Sequence, residues 1–167
     1  MVLKTDSQAN AQLEQDAQAL YDVLQDLIRV YQFRDRDRIC CHDLSVTQCY
    51  ALEALVRRGG ITVNELSAEL YLDKSTASRV VDALERKGHL RRNSHPDDRR
   101  AVQLEVTRTG KSLFARIRRD IVEQEISLLA EFDPKTRRAM TKLISQLARA
   151  AASRVDTAGG TCCIKQA

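Results

Sequence analysis

Apolar residues recur every three or four positions between Ser7 and Arg36, which is the spacing of one face of an amphipathic helix. This stripe consists of Leu13, Ala17, Leu20, Leu24, Leu27, Ile28 and Tyr31. A helix this long with one apolar stripe needs another surface to cover the stripe. Residues 34–38 alternate in charge, and we expect them to fray into a connector.

Two capping boxes mark the starts of the next two helices. Ser45 is followed by Gln48, and Thr62 is followed by Glu65. In each pair the first side chain can cap the new helix while the second bonds back to the capping residue. A glycine pair stops the first of these helices soon after Arg57, and the second helix is short.

A further helix begins at Asp73, a suitable N-cap, and ends at Gly88. Its inward positions are predicted to be Ala77, Val80, Val81 and Leu84. Two short strands are predicted, at residues 90–93 and 101–106. The second alternates apolar and polar residues, as a half-buried strand does. The stretch between them contains Pro96 and two Asp, which is turn chemistry.

Two more helices follow this hairpin. One lies between Gly110 and about Leu129, and the other begins at the Asp-Pro pair of residues 133–134. The apolar stripe of the last helix is Met140, Leu143, Ile144 and Leu147. The pattern decays after Ala152, so residues 153–167 are predicted to be a flexible tail.

Positive charge is concentrated in the middle of the chain. The formal net charge is +4, but residues 74–119 contain 13 Lys and Arg against 5 Asp and Glu, a local balance of +8. The remainder therefore carries −4. A solvated helix face is the ordinary reason for a charge run, but this block also follows a turn and a hairpin. A basic block in a slightly acidic frame favours a polyanion bound at one face.

Composition narrows the class of protein. Hydrophobic residues make up 43% of the chain, enough for a core, whereas aromatic residues make up 4% and Trp is absent. Stacking on unpaired bases is therefore a poor explanation of any nucleic-acid role. We expect a cytoplasmic protein, because no apolar run is long enough for a membrane span or a secretory signal. No residue spacing indicates catalysis, and no cofactor is expected to be required.

Six motifs between about Leu44 and Ile117 resemble those of a known family. They are Leu44–Gln48, Ile61–Ser67, Asp73–Arg79, Leu84–Gly88, Asp97–Arg100 and Leu104–Gly110. With these motifs at these spacings, the chain resembles the MarR family of bacterial winged-helix transcriptional regulators. The flanking helices match the family's dimerisation region in pattern only.

The resemblance implies a mainly α fold with a small β wing, namely a winged helix-turn-helix lobe plus N- and C-terminal dimerisation helices. The expected divisions are an N-terminal dimerisation helix and connector (7–43), the DNA-binding lobe (44–108), C-terminal dimerisation helices (109–152) and a cysteine-bearing tail (153–167). The resemblance also implies a homodimer on a palindromic operator, with repression as the expected outcome. The terminal helices, each with one apolar stripe, support a homodimer independently of the resemblance. A twofold dimer would cover both stripes and place one recognition helix on each half-site of the operator.

The DNA contacts are expected on the helix after Asp73 and on the hairpin. The helix offers Lys74, Ser75, Thr76, Ser78 and Arg79, and Arg79 is the best candidate for a bidentate contact to guanine. Arg91 and Arg92 at the hairpin base are expected to hold phosphates. By resemblance, Asp98 braces an arginine that enters the minor groove, either Arg99 or Arg100. Arg86 and Lys87, at the far end of the helix, are expected to contact the DNA backbone at most.

Five cysteines, an odd number, occur without a secretion signal, so a reducing compartment is expected. Cys49 is expected in the core. The pairs Cys40-Cys41, followed by His42, and Cys162-Cys163 are candidate effector ligands. Thiolates select soft ions, so trivalent arsenic or antimony would fit, and mercury or zinc would fit less specifically.

Several alternatives to this metal or metalloid sensor stay open. Oxidation of the thiols can serve as the signal instead, although a bond within either adjacent pair would be strained. The cysteines can also be small buried hydrophobes without a role in sensing. By resemblance, a small aromatic ligand can occupy the cleft between the lobes. A thiol enzyme or a metal-buffering protein is the least favoured reading.

Overall fold

Six helices and one two-stranded antiparallel sheet form the part of the chain that a computed structural model describes, residues 3–94 and 102–157. In chain order they are α1 (Leu3–Cys40), α2 (Val46–Arg58), α3 (Val63–Glu69), α4 (Lys74–Arg86), β1 (Leu90–Ser94), β2 (Val102–Val106), α5 (Arg108–Leu129) and α6 (Pro134–Thr157). The predicted fold class, mainly α with a small β hairpin, is confirmed.

The predicted capping residues start their helices as expected. Ser45 accepts a hydrogen bond from the Gln48 amide while the Gln48 side chain accepts one from the Ser45 amide. Thr62 and Glu65 form the same reciprocal pair at the start of α3. Each box satisfies two amides that a helix end would otherwise leave unpaired. Local side-chain chemistry therefore fixes these two boundaries.

The core lies where α2, α4, the sheet and the start of α5 meet. Its fully buried large side chains are Ile39, Leu52, Leu55, Leu66, Val81, Leu84, Leu104 and Ile117. The inward positions predicted for α4, from Ala77 to Leu84, are all buried. The period of the apolar residues therefore orients α4, leaving its polar face outside.

The end of α1 differs from the sequence prediction. Residues 34–38 were expected to fray, but the helix continues to Cys40. Ile39 is 1% exposed, and the Arg34 guanidinium bonds the Glu125 carboxylate of α5 at 2.6 Å. Contacts with a helix ninety residues away hold this segment, and a charge pattern read locally does not reveal them.

The hairpin and α5 are joined at one corner. The strands pair from Leu90 opposite Val106 to Ser94 opposite Val102. Thr107 caps α5 by accepting from the Gly110 amide, and its hydroxyl also donates to the Gly88 carbonyl. The helix consequently begins at Arg108, before the predicted Gly110, because the cap is one that the sequence reading missed.

The two terminal helices expose apolar side chains. On α1 the exposed fractions include 65% for Leu13 and 46% for Ile28, and on α6 they include 64% for Leu143 and 55% for Ile144. The last helix extends to Thr157, so the first residues of the predicted tail are helical. The remaining tail residues lie outside the described residues. No helix among those described is both long enough and apolar enough to cross a membrane.

Candidate nucleic-acid interface

The outer face of α4 carries the polar side chains that the sequence predicts as DNA contacts. Lys74, Ser75 and Arg79 are exposed, whereas Thr76 and Ser78 are half-buried. Asp73 caps the helix by accepting from the Thr76 amide at 2.8 Å. These bonds with Thr76 lower the pKa of Asp73 to about 2, so its carboxylate stays charged at the positive end of the helix.

The Arg79 side chain lies back along its helix toward the N-terminus. Its Nη2 donates to the Ser75 hydroxyl at 2.9 Å, and its Nε donates to the Ser75 carbonyl at 3.3 Å. Among the described residues no carboxylate forms a salt bridge with it. A guanidinium that bonds these two uncharged oxygens can exchange them for a bidentate bond to a base or a phosphate.

The Thr76 hydroxyl, in contrast, is already engaged. It donates to the Asp73 carboxylate at 2.7 Å, so it works as part of the helix cap. Its contact with DNA therefore stays a prediction in which the oxygen would act as an acceptor.

The two arginines of β1 point to different partners. Arg91 bonds the Glu105 carboxylate on the paired strand at 2.7 and 2.9 Å. Its hydrogen bond lowers the pKa of Glu105, whose oxygen also accepts from Asn93 at 2.6 Å. Arg91 is thus held within the hairpin, with its side chain 60% exposed.

Arg92 instead reaches across to α4, a contact that the sequence reading missed. Its Nη2 bonds Asp82 at 2.5 Å, and its Nη1 bonds Glu85. The Asp82 hydrogen bond and the Glu85 charge raise the pKa of the Arg92 guanidinium against the opposing effect of burial. In this conformation the guanidinium bonds two carboxylates of its own chain, and its expected contact with a DNA phosphate stays a prediction.

Asp98, Arg99 and Arg100 lie outside the described residues, so their predicted roles in the minor groove stay predictions.

Comparison with known proteins shows which family this chain resembles. The sequence profile of the MarR family matches residues 42–101, which hold α2, α3, α4 and β1. A crystal structure of MarR is 27% identical and superimposes with a TM-score of 0.72, covering 83% of this chain and 94% of MarR. This chain has the fold of MarR and resembles the MarR family.

Curated relatives of this chain carry the names of transcriptional regulators. PecS of Dickeya dadantii is 29% identical over 109 residues, which cover 64% of this chain and 66% of PecS. MhqR of Bacillus subtilis is 31% identical over 93 residues, which cover 54% of this chain and 64% of MhqR. The matched region thus spans just under two thirds of each relative.

The end of α4 is tied to the connector between α1 and α2. The Lys87 ammonium bonds the Asp43 carbonyl and lies 3.3 Å from the Asp43 carboxylate. It also lies 3.4 Å from the Gln48 side-chain oxygen. Lys87 is thus engaged within the protein, and the DNA backbone contact that the sequence allowed at most stays untested.

The same connector carries the candidate cysteines. Cys40 and Cys41 are exposed and free, and both thiols donate to the Asp37 carbonyl, at 3.4 and 3.2 Å. The two sulfur atoms therefore lie within about 7 Å of each other. Their exposure within this chain contradicts the alternative in which they are buried hydrophobes. Cys49 is buried as predicted, and burial raises its pKa to about 11.

His42, next to these cysteines, faces α5. Its Nε2 lies 3.5 Å from the Asp120 carboxylate. The described residues contain no group of three or more His, Cys, Asp or Glu side chains placed to hold a metal ion. Cys162 and Cys163 lie outside the described residues, so their part in this candidate site stays a prediction.

A cavity of about 490 Å³ opens between the end of α1 and the start of α2. It is lined by Arg29, Gln32, Phe33, Arg36, Val46 and Tyr50. The Arg36 guanidinium lies 4.5 Å from the centre of the Phe33 ring. Burial and the neighbouring Asp35 raise the pKa of Tyr50, so its phenol stays neutral and able to donate. This lining combines aromatic surface with positive charge.

Proposed function

We propose that the chain is a DNA-binding transcriptional regulator that acts as a homodimer on a palindromic operator and represses transcription. The observation that carries this proposal is the outer face of α4. It presents Lys74, Ser75 and Arg79 to solvent while its opposite face is buried in the core. A helix with such a polar face beside a β hairpin is suited to the major groove.

Each predicted contact has a distinct task in this proposal. Lys74 and the hydroxyls of Ser75, Thr76 and Ser78 meet phosphates and base edges, and Arg79 reads a guanine. Arg91 meets the phosphate backbone from the hairpin. At the hairpin tip, Asp98 braces Arg99 or Arg100 in the minor groove.

The homodimer is supported by the exposed apolar surface of the terminal helices. Large apolar side chains such as Leu13, Leu20 and Ile144 are between 44% and 65% exposed in the single chain. Packing these stripes against a second copy of the chain removes their apolar surface from water, which is favourable. A twofold axis then places the two α4 helices on half-sites about one helical turn of DNA apart.

Binding to duplex DNA selected by the protein from a random pool tests this function. We expect Arg79→Ala to weaken binding about tenfold to a hundredfold, because a bidentate base contact contributes about 1–3 kcal/mol of discrimination. Lys74→Ala should weaken all sequences alike and reduce the slope of log affinity against log salt by about 0.9. Arg138→Ala, an exposed change on α6, is the matched control. Failure of the wild-type protein to select any sequence would contradict the proposal.

The effector in this proposal is a soft metal or metalloid ion, such as trivalent arsenic or antimony, bound by thiolates. Support comes from two exposed thiols close together at the junction of α1 and α2. A three-thiolate ion needs one more sulfur, which Cys162 or Cys163 would supply, and His42 is the adjacent nitrogen ligand. Binding there would shift the dimer from a DNA-competent form to one with its lobes spread apart.

Release of the selected duplex by arsenite, antimonite, mercury or zinc tests this effector. Cys40→Ser and Cys41→Ser should keep DNA affinity but lose release, whereas Cys49→Ala should keep both. Release by peroxide alone, reversed by a dithiol, would instead identify oxidation as the signal. Normal release from both serine variants would exclude the thiols of Cys40 and Cys41.

A second candidate effector is favoured by the cavity between α1 and α2. Its volume of about 490 Å³ and its lining of Phe33, Tyr50 and two arginines suit a small aromatic acid. Salicylate is the probe. Release of the duplex by salicylate that Arg36→Ala abolishes, with Cys40→Ser unaffected, would assign the signal to this cavity.

A further inference from the structure

The guanidinium of Arg92 connects the hairpin to α4. It leaves β1 and bonds two carboxylates, Asp82 at 2.5 Å through Nη2 and Glu85 through Nη1. Asp82 and Glu85 are three residues apart, so they lie side by side on one face of the helix. A planar guanidinium can bond two such carboxylates at once, and a lysine ammonium lacks this fixed geometry.

The two carboxylates lie on the side of α4 that carries the proposed DNA contacts. Asp82 follows Ser75 by seven residues and Glu85 follows Ser78 by seven, so each pair is two turns apart on nearly the same face. Both carboxylates are partly exposed. Without a compensating cation, they would repel DNA phosphates at the distal half of the helix.

We infer that Arg92 is a positioning residue for DNA binding: it neutralises Asp82 and Glu85 and fixes the hairpin against α4, and it does not itself hold a phosphate. This inference rests on the proposed DNA-binding function and revises the contact predicted for Arg92. The neighbouring Arg91 provides the contrast, because its carboxylate partner Glu105 belongs to the hairpin itself.

A mutant cycle separates the two roles of an arginine. Arg92→Gln is made in the wild type and in a background carrying Asp82→Asn and Glu85→Gln, and affinity for the selected duplex is measured in all four proteins. We expect Arg92→Gln to weaken binding about tenfold in the wild type, a loss of about 1.4 kcal/mol in binding free energy. In the neutral background the change should fall below about threefold, since no carboxylate is left to compensate.

Arg91→Gln in the same two backgrounds is the matched control. As a direct phosphate contact it should weaken binding by the same factor in both, and it should lower the salt slope by about 0.9. Thermal unfolding of every variant shows that each protein compared is folded at the temperature of the binding measurement.

Three results would overturn the inference. Equal losses from Arg92→Gln in both backgrounds would make Arg92 a direct DNA contact. If Arg92→Gln lowered the unfolding temperature but left DNA affinity unchanged, the role of Arg92 would be purely structural. If it changed neither DNA affinity nor stability, Arg92 would have no role in binding or folding. These results differ from failure of the proposed function, in which the wild type itself selects no duplex.

Discussion

The Asp73 side chain determines the charge at the first turn of α4. Its bonds with Thr76 lower its pKa from 3.8 to about 2. A carboxyl with a depressed pKa in the folded state stabilises the protein fully above its unfolded pKa, and the stabilisation is lost as pH falls through the folded pKa. The unfolding temperatures of the wild type and Asp73→Asn should therefore differ by a constant amount above pH 4 and converge between about pH 4 and 2.

An NMR titration of the Asp73 carboxyl measures the shift directly, with a midpoint near 2 expected. A midpoint near 3.8 for Asp73 would show that the cap does not hold in solution.

The burial of Cys49 predicts that its thiol reacts more slowly than those of Cys40 and Cys41. Cys49 is 3% exposed and burial raises its pKa to about 11, whereas Cys40 and Cys41 are exposed. Because the thiolate is the nucleophile, iodoacetamide at pH 7.5 should label Cys40 and Cys41 and spare Cys49. Peptide mass mapping identifies the labelled residues, and labelling of Cys49 in urea is the positive control. Labelling of native Cys49 as fast as Cys40 would contradict the burial.

The residues that the sequence predicted well are those whose partners are close in the chain. Ser45 and Asp73 cap their helices through amides three residues away, so their chemistry is visible in the sequence alone. Arg92 was expected to hold a phosphate and Lys87 to contact the DNA backbone at most, and the sequence missed their partners within the chain, which lie 7 to 44 residues away. Spacing within one helix or hairpin does not reveal such pairs, because they form only when the elements pack.

At the scale of the element, the start of α5 depends on a glycine that packs against the base of the hairpin. A Cβ on Gly110 would lie 2.3 Å from the His89 carbonyl oxygen and 2.8 Å from a Val106 methyl carbon. In an open helix Gly→Ala stabilises by about 0.5–1 kcal/mol, but here the backbone oxygen would have to move. We expect Gly110→Ala to lower the free energy of unfolding by about 1–3 kcal/mol in urea.

Gly60→Ala is the matched control for this change. Its Cβ would also approach another residue, at 2.4 Å, but that neighbour is the flexible end of the Gln103 side chain. The side chain can rotate away at the cost of its hydrogen bond to the Gly60 carbonyl, about 1 kcal/mol. If Gly110→Ala proved as mild as Gly60→Ala, the corner between the hairpin and α5 would be looser than the structure shows.

Element boundaries show the same limit of prediction as single residues. Apolar periodicity together with capping and turn residues predicted all six helices of the described chain, and the last begins at Pro134 as predicted. The prediction that residues 34–38 fray was wrong, because Ile39 is buried and Arg34 bonds Glu125 on α5. Mixed charge is compatible with either a frayed end or a packed one, and only the distant partner decides between them.

At the scale of the whole molecule, the described chain leaves much of α1 and α6 without an apolar partner. The predicted stripe of α1 is exposed at Leu13, Leu20, Leu27 and Ile28. Its opposite face carries polar side chains such as Gln15, five residues before Leu20. Exposed apolar surface on this scale marks an interface, and a second copy of the chain is the proposed partner.

Sedimentation velocity distinguishes a dimer from the 18.9 kDa chain. We expect the wild type to sediment as a dimer and Leu20→Glu to raise its dissociation constant at least about tenfold, because an unpaired charge would be buried in the interface. Gln15→Glu adds the same charge on the opposite face and should leave the dimer intact.

A wild type that is monomeric at tens of micromolar would remove the second copy as partner. Equal weakening by both variants would show that the effect is overall charge and not the stripe. Because operator binding by two α4 helices requires the dimer, Leu20→Glu should also weaken binding to the selected duplex without changing any DNA contact.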